Sequence, residues 1–302
     1  MSKTYILKKK LMTKKYSIVK NLHGYYEVEP KPSIKDLQKH YSKKYYQNNH
    51  ATYQTKYTKE ELKYFSVESE LALKTLNRIS LITEKKLLDL GCGEGFFSNH
   101  FKKMGWEVRC IDFSKEGLLR HNPSLLPNFI QSDLLTYLDN LDANLDNFGL
   151  INLDNVLEHV IDPIALLKSI KKKIKSKTIV RIEVPNDFSK FQSLLVKLGC
   201  TEETWVGPPE HLSYFNKSSL LALFKAEGFK LISLQSDFPI EQFLLNEHSN
   251  YWKNKSLGKG AHLTRVIVTN YMADINIDRL IDYREAAADL EFGRLLTAYV
   301  SI

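Results

Sequence analysis

The chain runs Leu87-Leu88-Asp89-Leu90-Gly91-Cys92-Gly93-Glu94-Gly95-Phe96-Phe97-Ser98 at its most chemically pointed stretch. An apolar strand delivers the backbone into a turn with glycine at every second position, where side chains would block a ligand. A helix then opens with its N–H groups facing the same space. A dinucleotide site asks for Gly-x-Gly-x-x-Gly, with a third glycine packing the helix over a pyrophosphate. That position is Phe96 here. The Gly-x-Gly-x-Gly spacing suits an adenosine ligand with a zwitterionic amino-acid tail and no phosphate to cradle. Asp112 ends the next strand, where a carboxylate can accept hydrogen bonds from both ribose hydroxyls. Ser132-Asp133 closes the third, where a carboxylate can accept from an adenine amino group. Taken singly, each acid could equally cap a helix. Three such signals at the carboxyl ends of successive strands mark the edge where open α/β sheets bind ligands.

The elements that must hold these residues follow from periodicity. Strands are expected at Leu87–Leu90, Glu107–Asp112, Asn128–Gln131, Leu150–Leu153, Thr178–Val184 and Phe229–Gln235, with a last one at Leu295–Ile302. Amphipathic helices fall between them at Phe96–Met104, Ile164–Ile174 and Ser218–Glu227. Strands separated by helices of this length imply βαβ units and a parallel sheet. Before the sheet, residues 1–33 read as short extended pieces around the turn at His23-Gly24, and Ser33 starts a polar, Tyr-rich segment. Thr58 and Glu61 form a capping box that opens a helix running to about Ile79. The organisation expected is an N-terminal extension and helical lid over 1–80, a ligand-binding domain over 81–237, a mostly helical insertion over 238–293, and the last strand over 294–302.

At these motifs the chain resembles the class I S-adenosylmethionine-dependent methyltransferases. Asp89 to Gly95 is similar to the family's first motif, Ile111-Asp112-Phe113-Ser114 to its second and Gln131-Ser132-Asp133 to its third. Asp154 to Pro163 resembles the fourth-strand motif of the ubiquinone-biosynthesis type. The resemblance implies S-adenosyl-L-methionine as cofactor, with Asp89, Gly91, Gly93 and Gly95 around its methionine end and Asn155 near the same tail. It implies Asp112 on the ribose, Phe113 against the adenine, and Asp133 with Leu134 at the adenine edge. It also implies the fold: α/β, a Rossmann-like seven-stranded, mostly parallel sheet whose antiparallel last strand lies beside the fifth, with a helical lid and a helical insertion. A narrower likeness runs through Gly207-Pro208-Pro209-Glu210-His211-Leu212-Ser213-Tyr214-Phe215, Gly24-Tyr25-Tyr26 and Asp237-Phe238-Pro239. It points to methyltransferases encoded beside bacterial capsule and lipopolysaccharide genes, and so to a glycan acceptor. A quinone-like acceptor and an RNA acceptor are the alternatives.

Methyl transfer from a sulfonium is an in-line displacement, so alignment and exclusion of water are the protein's main tasks. A sugar hydroxyl also needs a general base within hydrogen-bond reach. The candidates are His211 in the loop beyond the fifth strand and His159 after the fourth, with Glu158 orienting or replacing them. Their bland readings are a loop histidine organising its turn, a histidine buttressing the strand edge, and a cap for the helix at Asp162-Pro163. Tyr41, Tyr45, Tyr46, Tyr53, Tyr57 and Tyr64 either stack on ligand from the lid or pack the lid onto the domain. In the insertion, His262 and Arg265 are expected on a solvated helix face, with an anionic acceptor group as the functional alternative. The insertion itself is expected to wall the acceptor pocket or to form a homodimer contact.

Composition narrows the partners. The +8 formal charge of the 302 residues resides in residues 1–60, which hold 14 lysines, no arginine and four acids. The absence of arginine there argues against a nucleic-acid partner, which favours bidentate guanidinium contacts. A solvated arm is the leading expectation, and attraction to anionic lipid needs only such a polybasic segment. Cys92, Cys110 and Cys200 are too few and too scattered for a disulfide framework, and no apolar run has the length of a signal or membrane segment, so a cytoplasmic site is expected. No acid or histidine cluster shows metal-ligand spacing, and no metal is expected.

Overall fold

A computed structural model describes residues 16–33, 36–37, 56–79, 83–141, 147–174 and 177–302. Tyr41, Tyr45, Tyr46 and Tyr53 lie outside these residues, as does most of the lysine-rich arm.

The main sheet holds seven strands: β3 (Lys86–Leu90), β4 (Glu107–Asp112), β5 (Phe129–Gln131), β6 (Leu150–Asp154), β7 (Ile179–Pro185), β9 (Lys230–Ser236) and β10 (Leu295–Ser301). Their order is β5-β4-β3-β6-β7-β10-β9. β10 runs antiparallel between β7 and β9, with Leu296 opposite Val184 on one side and Ser236 on the other. Every strand foreseen is present within a residue or two, and the reversed last strand lies beside the fifth as expected. β7 is buried along its whole length, as a strand covered by helices on both faces must be.

Two apolar layers sandwich the sheet. One joins Leu88, Ile151, Val180 and Ala298 to Leu166, Leu167, Leu223 and Phe224 of the helices Pro163–Lys171 and Lys217–Glu227. The other joins Leu87, Cys110 and Tyr299 to Ala72, Leu76 and Phe101. Ala72 and Leu76 belong to α1 (Lys59–Ile79), which starts where the capping box places it: Glu61 N–H donates to Thr58 Oγ1 (3.2 Å) and Thr58 N–H to Glu61 Oε2 (2.8 Å).

The insertion is dominated by a long helix, Gly258–Asp289, broken at Asn276, whose extended backbone (φ −167°, ψ 105°) and side chain cap the second half by accepting from Arg279 N–H (3.0 Å). This helix lies along α1. Arg284, 5% exposed, makes a two-pronged ion pair with Glu68, and Arg78 reaches Asp278 and Asp282.

A second, small sheet was legible only in part. The extended pieces flanking His23-Gly24 form the hairpin β1 (Ser17–Lys20) and β2 (Tyr26–Glu29), but β2 also pairs with β8 (Ser213–Tyr214), matching Tyr26 with Tyr214. The hairpin is thereby clamped to the loop that carries His211.

Candidate functional site

The glycine turn has the geometry its spacing requires. Gly91 sits at φ +83°, and a Cβ there would lie 2.4 Å from Val156 Cγ2; at Gly95 (φ +77°) a Cβ would meet Leu118 at 2.3 Å. Any side chain at either position must displace the core. Beneath the turn lies Asp89, 1% exposed, accepting from Ser98 Oγ (2.6 Å) and Asn152 Nδ2 (2.8 Å). Burial pushes its carboxyl up to about 6, against those two donors. Grouped by resemblance with the cofactor residues, Asp89 is placed by the structure as a support that ties the turn to the helix after it and to β6.

Asp112 faces the turn from the end of β4. Its Oδ2 accepts from Gly93 N–H (2.9 Å) and its Oδ1 from Ser114 N–H (3.1 Å). A carboxylate has about four acceptor sites, so acceptor capacity remains for a ribose hydroxyl beyond these backbone donors. Burial raises the Asp112 carboxyl, and the backbone donors of Gly93, Ser114 and Phe113 oppose the rise. Phe113 is 45% exposed at the same edge, which leaves a ring face for a base. Asp133 is the N-cap of the helix Leu134–Asp139, its Oδ1 accepting from Thr136 N–H (2.9 Å), so the capping reading holds for that oxygen. The Leu134 side chain is buried in the core. Asn155 lies exposed at φ +52° after β6, its N–H donating to Glu183 O (3.0 Å) and its Nδ2 to Asp154 Oδ1 (2.8 Å).

Across this edge the three candidate catalytic residues converge. Ligand atoms of Glu158, His159 and His211 lie within 4.8 Å of one another, and the two imidazoles meet edge to face with centroids 4.8 Å apart. The loop of His211 is tied down at Glu158, whose carbonyl accepts from Leu212 N–H (2.8 Å) and Ser213 N–H (3.1 Å). His159 Nδ1 lies 2.7 Å from Glu210 O; a carbonyl only accepts, so that nitrogen carries the proton. Its Nε2 faces Glu158 Oε1 at 3.8 Å. The Glu158 carboxyl is 1% exposed and neither oxygen accepts a hydrogen bond among the described residues. Burial drives it well above the usual carboxylate range, and Asp187, Asp154 and Glu183 add to the rise. Glu158 is no helix cap: Asp162 fills that role, accepting from Ala165 N–H (2.9 Å). Two imidazoles and a carboxylate at this spacing also form a donor set suited to a divalent metal, a grouping that spacing along the chain did not reveal.

Other residues here escaped the sequence reading. Asp187, two residues past β7, places Oδ2 4.0 Å from His211 Nδ1 while its Oδ1 accepts from Arg294 Nη1 (2.6 Å). Burial raises the Asp187 carboxyl, with Arg294 pulling the other way. An acid just beyond a strand was the signal used for Asp112 and Asp133, and it was available at Asp187 too. Arg181, inside β7, donates to Asn152 Oδ1 (2.9 Å), Asp154 Oδ2 (3.1 Å) and Glu183 Oε2 (2.6 Å), linking the Asp89 support to the acceptor side. A lone cation in an apolar strand was its only mark.

The lid residues meet one of the two alternatives for the tyrosines and correct the expectation for His262 and Arg265. Tyr57 Oη donates to Glu94 (2.9 and 2.8 Å) with its ring edge-on to Phe65 and Phe96, and Tyr64 is 8% exposed with Arg265 over its ring at 5.6 Å. Both tyrosines pack the lid onto the domain. His262 and Arg265 do not occupy a solvated face: His262 Nε2 lies 3.2 Å from Glu61 Oε1 and His262 Nδ1 3.0 Å from Arg265 Nη2, pinning the insertion to α1. The reason is the helix pairing itself, which turns that face inward.

A parallel sheet with one reversed strand, a glycine turn after its first strand and acids after the next two define the class I S-adenosylmethionine-dependent methyltransferase fold, and the acceptor sites left on Asp112 fit that cofactor's ribose. Residues 64–234 match the model of the methyltransferase domain family, and the chain belongs to that family. Among curated proteins it is similar to the ubiquinone biosynthesis O-methyltransferase of Actinobacillus pleuropneumoniae, 30% identical over 118 residues that make up 37% of this chain and 50% of that protein. The corresponding protein of Idiomarina loihiensis is 27% identical over 174 residues, 54% of this chain and 70% of that one. The chain thus spans about half the length of the first of these relatives. A solved S-adenosylmethionine-dependent methyltransferase from Archaeoglobus fulgidus covers 77% of this chain and is itself covered to 93%, with 19% identity and a TM-score of 0.47. No helix among the described residues is long and apolar enough to cross a membrane.

Proposed function

We propose that the chain methylates a hydroxyl of a sugar or glycan precursor, in the biosynthesis of a bacterial surface polysaccharide, with His211 as general base. The observation that carries this reading is the joining of His211, Asp187 and Arg294 at the sheet edge beyond β7, next to His159 and Glu158. S-adenosylmethionine, when bound, supplies an electrophilic methyl and a neutral thioether leaving group. Asp112 would hold the ribose, the backbone at Gly91 and Gly93 the methionine end, and Phe113 and Asp133 the adenine.

The chain's own residues do the rest. The His211 ring, with Nδ1 4.0 Å from Asp187 Oδ2, takes the hydroxyl proton as the oxygen–carbon bond forms and the carbon–sulfur bond breaks. The resulting imidazolium gains a buried counter-charge in Asp187, which Arg294 holds in place from the other side. His159, its proton fixed on Nδ1 by the Glu210 carbonyl, orients the neighbouring ring. Alignment of this kind supplies ~7 to 11 kcal/mol of the barrier reduction.

The names of the similar ubiquinone biosynthesis O-methyltransferases favour a second reading, a quinone-like or other small-molecule acceptor. The RNA reading gains nothing from the described residues. Transfer of isotope from labelled donor into sugar nucleotides, catechols and RNA separates the three. Label in the sugar fraction supports the first reading; label confined to the catechol replaces it with the second.

A further inference from the structure

A pocket of about 200 Å³ opens beside Arg294, between the helix Lys190–Lys197, the loop around Trp205 and the insertion. Gln192, Trp205, Glu241, Tyr251, Trp252 and Arg294 line it. Two unmet demands sit in that wall. Gln192 is 3% exposed; its Nε2 donates to Glu241 Oε1 (3.1 Å) while its Oε1 is buried without a partner among the described residues. Trp205 Nε1, a donor only, is likewise buried without one, its ring held edge-on by Phe188 at 5.4 Å. Leaving such a group unpaired is unfavourable, and a ligand able both to donate and to accept would relieve it.

Charge excludes one large class of ligand. Arg294 is already matched by Asp187 (2.6 Å) and by Glu241 (3.6 Å), so the pocket has no positive charge to spare for a phosphate or carboxylate. What the wall offers is aromatic surface from Trp252 and Tyr251 next to mixed donors and acceptors. A pyranose has this complement, with an apolar C–H face on one side and hydroxyls around its rim.

We infer that this pocket is a subsite for one neutral or amino sugar ring, seated against Trp252 and Tyr251 and hydrogen-bonded by Gln192, Trp205 and Glu241. Arg294 joins the pocket to Asp187, whose other oxygen lies 4.0 Å from His211 Nδ1, so the pocket lies behind the proposed base and not in contact with it. The assignment deepens the proposed function and rests on its placing the acceptor at this edge, yet binding can be measured without turnover.

The probes are methyl glucoside, N-acetylglucosamine, glucosamine and glucose 1-phosphate, with catechol as the planar comparison. Saturation-transfer NMR and quenching of tryptophan fluorescence read their binding to the full chain, beside Trp252→Ala, Gln192→Leu and His211→Ala. Trp252 is 39% exposed, so its truncation leaves the core intact. The expected result is saturable binding of an uncharged or amino sugar, weakened about tenfold by Trp252→Ala or Gln192→Leu and unchanged in His211→Ala, with the phosphate ester no tighter than its parent sugar. Binding of no sugar, binding indifferent to both pocket variants, or preference for catechol overturns the subsite. If sugar binds in the expected way but accepts no label from the donor, the subsite stands and the methylation reading falls. If sugar is methylated with a KM unaltered by the two pocket variants, the reverse holds.

Discussion

The donor and acceptor halves of the sheet edge are built on different principles. On the donor half the carboxylates engage neutral donors, backbone or side chain: Asp112 holds Gly93 and Ser114 N–H, Asp133 holds Thr136 N–H, and Asp89 holds Ser98 and Asn152. On the acceptor half the partners are charged side chains far apart in the chain: Asp187 with Arg294, Arg294 with Glu241, Glu68 with Arg284, Glu61 with His262. A ligand common to a whole family can be held by main-chain geometry that tolerates sequence drift. A variable acceptor is selected by side chains, and these can change without disturbing the strand ends.

The sharpest way to break this comparison is at the base. His211→Ala is expected to lower turnover by about a thousandfold, within the range for general base loss, while calorimetric donor affinity stays within about twofold. Near-native turnover would make His211 a loop-organising residue. Asp112→Ala should do the opposite, weakening donor binding by about a hundredfold, as loss of two charge-assisted hydrogen bonds predicts. Unchanged donor affinity would overturn the mapping of the donor half.

A smaller effect tests the link between the two. Asp187→Asn is expected to reduce kcat about tenfold and to move the acid limb of the pH–rate profile to lower pH, because the imidazolium of His211 loses its counter-charge. An unmoved limb would restrict Asp187 to holding Arg294.

The smallest effect is on stability. The Glu158 carboxyl is raised by burial, so its contribution is fully present below the ordinary carboxylate range and is lost as pH rises through the raised value. Glu158→Gln removes a proton that must otherwise leave a buried site. Its melting temperature should match the native chain in acid and exceed it in alkali, by an amount worth about 1.4 kcal/mol for each unit of the native shift. A constant difference across pH would show that the carboxylate is instead balanced by the two imidazoles or by a metal ion. Titrating the chain with zinc and following the histidine resonances distinguishes those cases.

The donor half was legible because its signals are short. An apolar run, alternate glycines and an acid at a strand end fix β3, β4 and their turns within a dozen residues each, and Gly91 and Gly95 occupy left-handed conformations for the reason their spacing suggested. The capping box at Thr58 was legible for the same cause. The second sheet was not, since nothing in Ser213-Tyr214 announces a partner at Tyr26-Glu27. Nor was the inward face of His262 and Arg265, which exists only because the insertion helix lies along α1.

The strands, the glycine turn and the acids at the strand ends are local or periodic properties that local sterics and burial specify, whereas the reversed last strand and the donor role of the turn were implied only by the family resemblance. The acceptor side is different in kind. Asp187, Glu241 and Arg294 become one charge-balanced group, and Gln192, Trp205 and Trp252 one pocket, only when β10 is inserted between β7 and β9 and the insertion folds back over the edge. Burial then decides the chemistry of Asp187, whose carboxyl is raised by desolvation and steadied by Arg294 beside His211.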